Sequence, residues 1–243
     1  MSRGVCVITG GGRGIGAATA RRAAAAGWAV CLSFTTNESA ATAVAKEIGG
    51  RAVRAEITDE RDVVALFEAA DEMGAVTAAV ANAGIVGPAI RVDEMSVDRI
   101  RRMLDVNVVG VMLTAREAVR RMSTLHGGGG GSIVTVSSLA SRLGSPNLYV
   151  DYAASKGAVD SFTIGLAREV AAEGIRANVV RPGIIDTEIH GSGGQPDRAQ
   201  QIGPTTPMQR AGTADEVGAA IMWLLSDDAS YTTGTIIEVG GGR

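Results

Sequence analysis

Val5-Cys6-Val7-Ile8-Thr9-Gly10-Gly11-Gly12-Arg13-Gly14-Ile15-Gly16 runs from a continuous apolar segment into a glycine-rich turn, and the Ala-rich residues 14–26 behind it have helical composition. A strand, a tight turn and a helix in that order leave the first N–H groups of the helix free, at the positive end of its dipole. Glycines let the backbone approach a ligand closely there, so a pyrophosphate can seat on the turn. Thr9, Gly10, Arg13, Gly14, Ile15 and Gly16 are the candidate contacts. In a chain with 33 Gly the spacing also fits a turn that binds nothing, and the strand–turn–helix context is what favours the dinucleotide reading.

Working outward, apolar segments at 5–9, 29–34, 52–57, 76–81, 132–137, 175–181 and 235–239 read as strands. Helical composition fills 14–26, 37–48, 59–73, 96–123, 152–172 and 213–226. Asp59, Ser96 and Thr213 stand where N-caps are expected. Alternation of this kind predicts an α/β fold, a parallel sheet covered by helices on both faces. No repeat or linker divides the chain, so residues 1–243 are expected to form one dinucleotide-binding and catalytic domain. Two segments break the alternation. The five glycines 127–131 read as a flexible surface connection. Residues 182–210, rich in Pro and Gly with little periodicity, exceed an ordinary loop and read as a substrate loop.

Composition narrows the function classes. With 39 Ala, 33 Gly and 3% aromatic residues, the helices can pack closely on the sheet. A net charge of −3 and scattered arginines leave no electrostatic footprint for nucleic acid. No apolar run approaches a membrane span, and the first strand begins too early to follow a signal peptide, which makes the cytoplasm the expected location. Cys6 and Cys31 lie in apolar strands and read as buried reduced thiols. The two histidines, His126 and His190, have no second ligand at metal spacing, so no metal site is expected.

Basic residues number 23, and only Lys46 and Lys156 are Lys. Tyr152-Ala153-Ala154-Ser155-Lys156 places one of these two on the same helix face as a tyrosine. An ammonium there favours phenolate, and the expected result is a tyrosine that exchanges protons near neutral pH. Tyr149 has Ala153 at the corresponding position, so only Tyr152 has the partner.

Together with the glycine turn, Asn82-Ala83-Gly84 after the fourth strand, Asn107 in a helix, Ser138 after the fifth strand, Tyr152-x-x-x-Lys156, Pro182-Gly183 after the sixth and Pro207-Met208-x-Arg210 before the last helix resemble the classical short-chain dehydrogenases/reductases. The likeness covers essentially the whole chain and is nearest the glucose-1-dehydrogenase-like and acyl-carrier-protein-reductase-like branch. It implies a Rossmann-type doubly wound sheet of seven strands in the order 3-2-1-4-5-6-7, an NAD(P)-dependent oxidoreductase, and a homotetramer. By resemblance Tyr152 is the general acid/base, Lys156 bonds the nicotinamide ribose and, with the cationic oxidised ring, depresses the Tyr152 pKa, and Ser138 orients the substrate oxygen. Asn107 holds a water linking Lys156 to solvent. Thr9, Gly10, Gly14, Ile15, Gly16, Thr35, Ile57, Asn82, Ala83, Gly84, Pro182, Gly183, Ile185 and Thr187 line the cofactor, Thr187 at its carboxamide. The chain departs from the pattern at Ala81 and Glu56, and by one extra residue between Pro146 and Tyr152.

An acid ending the second strand would bond the adenosine ribose and repel a 2′-phosphate. Ser33-Phe34-Thr35-Thr36-Asn37 has none before Glu38, and Arg13 offers a cation, so NADP(H) is favoured over NAD(H). The expected partner is a small carbonyl or alcohol substrate. Its pocket is expected at Ile90, Leu139, Ala140, Arg142, Asn147, Tyr149 and residues 184–190. A non-catalytic dinucleotide sensor and a sugar-nucleotide epimerase of the extended branch are the rival readings.

Overall fold

The computed structural model describes residues 3–243. Seven parallel strands, β1 (Val5–Ile8), β2 (Ala29–Phe34), β3 (Arg51–Arg54), β4 (Val76–Ala81), β5 (Gly131–Val136), β6 (Ile175–Pro182) and β7 (Ile236–Val239), form one sheet. Their order is β3-β2-β1-β4-β5-β6-β7, as the family resemblance implies. The helices are α1 (Gly14–Ala25), α2 (Glu38–Ile48), α3 (Glu60–Asp71), α4 (Val97–Leu104), α5 (Gly110–Met122), α6 (Val150–Val170) and α7 (Ala214–Leu225).

Strand side chains alternate between faces, and here both faces are covered, which is why the strands read as unbroken apolar runs. Cys6 and Ile8 point to a core shared with Ala20 of α1, Val44 of α2 and Ile221 of α7. Val5 and Val7 point the other way, to Leu66 and Phe67 of α3, Met122 of α5 and Val170 of α6. Both cysteines are free and buried, and burial pushes the Cys6 thiol up to about 12 and Cys31 up to about 11. No helix among the described residues is long and apolar enough to cross a membrane.

The three expected caps form. The Asp59 carboxylate accepts from Arg61 N at 2.8 Å, Ser96 Oγ from Arg99 N at 3.2 Å, and Thr213 closes a reciprocal capping box with Glu216. Residues 96–123 are not one regular helix, because Asp105–Val109 between α4 and α5 is a π-helical segment. Nor are the glycines 127–131 a loose connection. A Cβ on Gly128 would lie 2.3 Å from Arg121 O, one on Gly130 2.5 Å from Gly174 O and one on Gly131 2.5 Å from Thr77 O, so three of these glycines permit backbone-on-backbone packing. Residues 182–210 likewise carry structure that their composition conceals. Ile185–Asp186 pairs in parallel with Gly212–Thr213, and short helices span Ile189–Ser192 and Arg198–Ile202.

Candidate active site

The chain direction across the sheet reverses between β1 and β4, and a cleft opens beyond the carboxyl ends of these strands. Gly10, Arg13, Gly14, Ile15 and Gly16 form one wall, Thr35 and Ile57 another, and Asn82, Ala83 and Gly84 the floor. Thr9 is buried beneath, where its Oγ1 accepts from the backbone N–H groups of Asn82 and Ala83, both at 3.1 Å. Asn82 Nδ2 returns the tie by donating to Thr9 O at 2.9 Å and Gly10 O at 3.2 Å. Thr9 and Asn82 thus lock the turn to the end of β4.

The turn fits an anionic dinucleotide. α1 has no side-chain cap and no acid in its first turn, whereas α3, α4 and α7 have both. Its orphan N–H groups face the cleft with the dipole unopposed. Gly16 is required for close approach, since a Cβ there would stand 2.3 Å from Gly10 O. Gly16→Ala is expected to cost about 1–3 kcal/mol of stability through overpacking, read as a lower melting temperature, together with weaker dinucleotide binding.

Arg13 is exposed on this cleft and has no ion-pair partner among the described residues. Thr35 and Thr36 are exposed beside it. Asn37 is occupied as the cap of α2, accepting from Ala40 N at 3.1 Å. The acids lining the cleft are Glu56 and Glu188. Glu56 sits opposite Arg102 at 3.3 Å, and its own N–H donates to the Asp62 carboxylate at 2.8 Å, which ends β3 before residue 57.

A second cavity joins the first through shared walls at Ile15, Asn82, Gly84, Thr187 and Ile189. Ser138, Tyr152 and Lys156 meet there, and Pro182, Gly183 and Ile185 line the same cavity, Pro182 O accepting from Leu139 N at 3.0 Å. Ser138 follows β5, and its Oγ accepts from Ala140 N at 3.1 Å. Tyr152 and Lys156 stand on successive turns of α6, whose first turn is tied down by the part-buried pair Arg99–Asp151 at 2.9 Å. Arg99 also donates to Pro88 O at 2.7 Å, a brace that sequence reading did not find because neither partner belongs to a motif.

The Tyr152–Lys156 relation differs from expectation. Lys156 Nζ lies 5.8 Å from the centroid of the Tyr152 ring and donates to Val136 O at 2.8 Å. Burial therefore dominates the phenol and pushes its pKa up to about 12, with a hydrogen bond from Ser138 working against the rise. Burial also brings Lys156 down to about 8, opposed by the Asp160 carboxylate one turn further on. Asp160 is held by Arg181 at 2.9 Å.

Asn107 lies in the π segment and is fully buried. Its Nδ2 donates to Ile85 O at 2.9 Å and Ser155 Oγ at 3.1 Å, while Oδ1 accepts from Ile85 N at 2.8 Å. Ser155 Oγ in turn donates to Tyr152 O at 2.7 Å, so Asn107 links the π segment to the catalytic turn of α6. Oδ1 keeps one lone pair. It faces Gly84 from the same side as Lys156 Nζ, and a Cβ on Gly84 would lie 3.1 Å from one and 3.4 Å from the other.

Of the expected pocket residues, Leu139, Ala140, Tyr149, Ile184, Ile185, Thr187, Ile189 and His190 line the second cavity. His190 is half-buried, its Nε2 is 2.9 Å from Ile185 O, and burial lowers its pKa. Ile90, Arg142 and Asn147 do not line it. Ile90 N donates to Leu148 O at 2.9 Å, and Arg142 is drawn to Glu238 at 3.4 Å. Asn147 takes a positive φ of 59°, as does Ser145 at 46°. Gln195, Arg198 and Arg243 line the cavity unforeseen, because nothing local in the sequence relates them to Tyr152.

Residues 10–243 match the profile of a family described as enoyl-(acyl carrier protein) reductase. The chain is 52% identical to the uncharacterized oxidoreductase YgfF of Escherichia coli K12, over 98% of this chain and 99% of that one. It is 39% identical to cis-4-hydroxycyclohexanecarboxylate dehydrogenase of Sinomonas cyclohexanicum, over 98% and 95%. A short-chain dehydrogenase from Burkholderia cenocepacia J2315, crystallised with NADP, superposes with a TM-score of 0.88 at 31% identity, covering 99% of this chain and 98% of that one. The fold and site define an oxidoreductase acting on hydroxyl or carbonyl groups. The chain belongs to the classical short-chain dehydrogenase/reductase family.

Proposed function

We propose that this protein is an NADP(H)-dependent carbonyl reductase or secondary-alcohol dehydrogenase, with residues 1–243 as one catalytic domain and residues 182–210 as its substrate-facing segment. The observation that carries this reading is the meeting of Ser138, Tyr152 and Lys156 in a cavity that opens directly into the cleft over the glycine turn. When bound, the nicotinamide dinucleotide supplies or accepts the hydride. Tyr152 donates its proton to the carbonyl oxygen on reduction and removes it from the hydroxyl on oxidation. Ser138 gives the same oxygen a second hydrogen bond. Lys156 holds the nicotinamide ribose, and together with the cationic oxidised nicotinamide it would favour the phenolate. Asn107 holds a water between Lys156 and solvent, and Thr187 holds the carboxamide. The alicyclic hydroxy acid in the name of the Sinomonas relative supports a CH–OH substrate. A homotetramer follows the family resemblance, and sedimentation checks it.

NADP(H) is the favoured cofactor because Arg13, without an ion-pair partner among the described residues, and the hydroxyls of Thr35 and Thr36 line the cleft, and the chain leaving β2 brings no acid before Glu38. Paired titrations with NADPH and NADH, read by nicotinamide fluorescence, test this. NADPH is expected to bind more tightly, and Arg13→Ala is expected to weaken NADPH by about tenfold while changing NADH little, the worth of one charge-assisted phosphate contact. Equal loss for both cofactors would remove the 2′-phosphate role of Arg13.

A further inference from the structure

We infer that the substrate is an oxo or hydroxy carboxylic acid, whose carboxylate is bound by Arg198 with Arg243 at the outer end of the pocket while its reacting carbon lies at Tyr152. This rests on the oxidoreductase reading above and names the substrate class of the same site. The titratable side chains lining the cavity besides the tyrosines are Lys156, His190, Arg198 and Arg243, and no carboxylate side chain is among them. The lining also includes apolar side chains, among them Val86, Leu143, Ile184 and Ile189.

Arg198 stands apart from the arginines held on carboxylates, such as Arg99, Arg121 and Arg181. Among the described residues it forms no salt bridge. Its Nη1 donates to Gln195 Oε1 at 2.6 Å, and its guanidinium lies 5.4 Å over the Tyr149 ring. That ring meets Tyr152 edge to face at 6.0 Å. The cation is therefore one aromatic ring away from the proton donor, along the pocket wall. The charges of Arg198 and Arg243 both favour the Tyr149 phenolate, against a burial that raises its pKa, so both lie near that ring. Arg142 donates to the main-chain oxygen of Arg243 at 2.7 Å.

A half-buried guanidinium with no salt-bridge partner among the described residues is complementary to a carboxylate, which it can grip through two parallel hydrogen bonds. Because Tyr149 contacts both Arg198 and Tyr152, a carboxylate held by Arg198 belongs to the same molecule as a carbon reacting at Tyr152. Reduction then adds a hydride from NADPH to the carbonyl carbon and the Tyr152 proton to its oxygen, and the carboxylate is unchanged.

The test measures NADPH oxidation by the full chain with 4-oxopentanoate, 5-oxohexanoate and 3-oxocyclohexanecarboxylate, each against its carboxamide. The acids are expected to exceed the amides in kcat/KM by about tenfold or more, the worth of a charged hydrogen-bonded pair. Arg198→Ala should bring that ratio towards one through KM, Arg198→Lys should restore part of it, and Arg168→Ala, exposed on α6, should leave the ratio as it was, with circular dichroism checking the fold. Amides turned over as well as acids, or a preference that survives Arg198→Ala, overturns the inference and leaves the oxidoreductase reading standing. If none of the six is turned over, calorimetric binding of cyclohexanecarboxylate in the presence of NADP decides. Binding that weakens about tenfold in Arg198→Ala supports the carboxylate site, and no binding overturns it. NADPH binding, measured separately, reports on the oxidoreductase assignment.

Discussion

Tyr152→Phe is expected to lower kcat for both ketone reduction and alcohol oxidation by about 10²–10⁴-fold, the range of a lost general acid/base, while NADPH binding changes little. The substitution removes one hydroxyl and keeps the ring, so the edge-to-face contact with Tyr149 and the place of Lys156 over the ring both persist. The π segment is unaffected as well, because Ser155 bonds the carbonyl of residue 152 and not its side chain. A structural tyrosine would show a fall in melting temperature instead, with turnover retained. Turnover at wild-type rate in Tyr152→Phe removes the mechanism. The size of the effect follows from geometry, since no other hydroxyl on α6 lines the pocket besides that of Tyr152.

The second large effect concerns stability. Lys156 has its pKa lowered from 10.5 to about 8 by burial, the reverse of a lysine that gains a partner. Below pH 8 the ammonium is present in both folded and unfolded chains, and the full cost of burying it is felt. Between pH 8 and 10.5 the folded chain sheds the proton and the unfolded chain keeps it, so stability from this group rises with pH. The lowered pKa corresponds to on the order of 3 kcal/mol. Lys156→Met lacks this contribution and loses the bond to Val136 O at every pH. Wild type is therefore expected to gain on the variant by about 3 kcal/mol as pH rises from 8 to 10.5, measured by denaturant unfolding. Parallel curves would show that Lys156 titrates like an exposed amine.

Much of this was legible in the sequence. Strands covered on both faces announce themselves as apolar runs, and the glycine turn, Asn82, Ser138 and the Tyr152–Lys156 spacing each belong to a local pattern that the fold brings together. What escaped depends on contacts between distant segments. Arg198 is 49 positions from Tyr149, in a stretch whose short helices have no amphipathic period, and only the folded chain stacks the two. Arg142, nearer in sequence and an equally plausible pocket cation by composition, is taken up by Glu238. The expectation that Lys156 depresses the Tyr152 pKa came from helical spacing, which fixes a shared face and not the direction of the ammonium; Val136 O claims it. The glycine run misled because composition does not distinguish glycine needed for freedom from glycine needed for close packing.

The π segment at Asp105–Val109 also has a meaning for how this chain tolerates change. One residue turns an ordinary helix by about 100°, so a π segment acts as a phase shifter, offsetting everything before it from everything after it. α4, which carries Arg99 to Asp151, and α5, which packs Met122 under the sheet, are each correctly aimed only with that offset in place. Substitutions along the two helices are local events, whereas a single-residue deletion anywhere between them is a rotation of one half of the site relative to the other. The length of this helix is therefore under tighter constraint than most of its individual side chains.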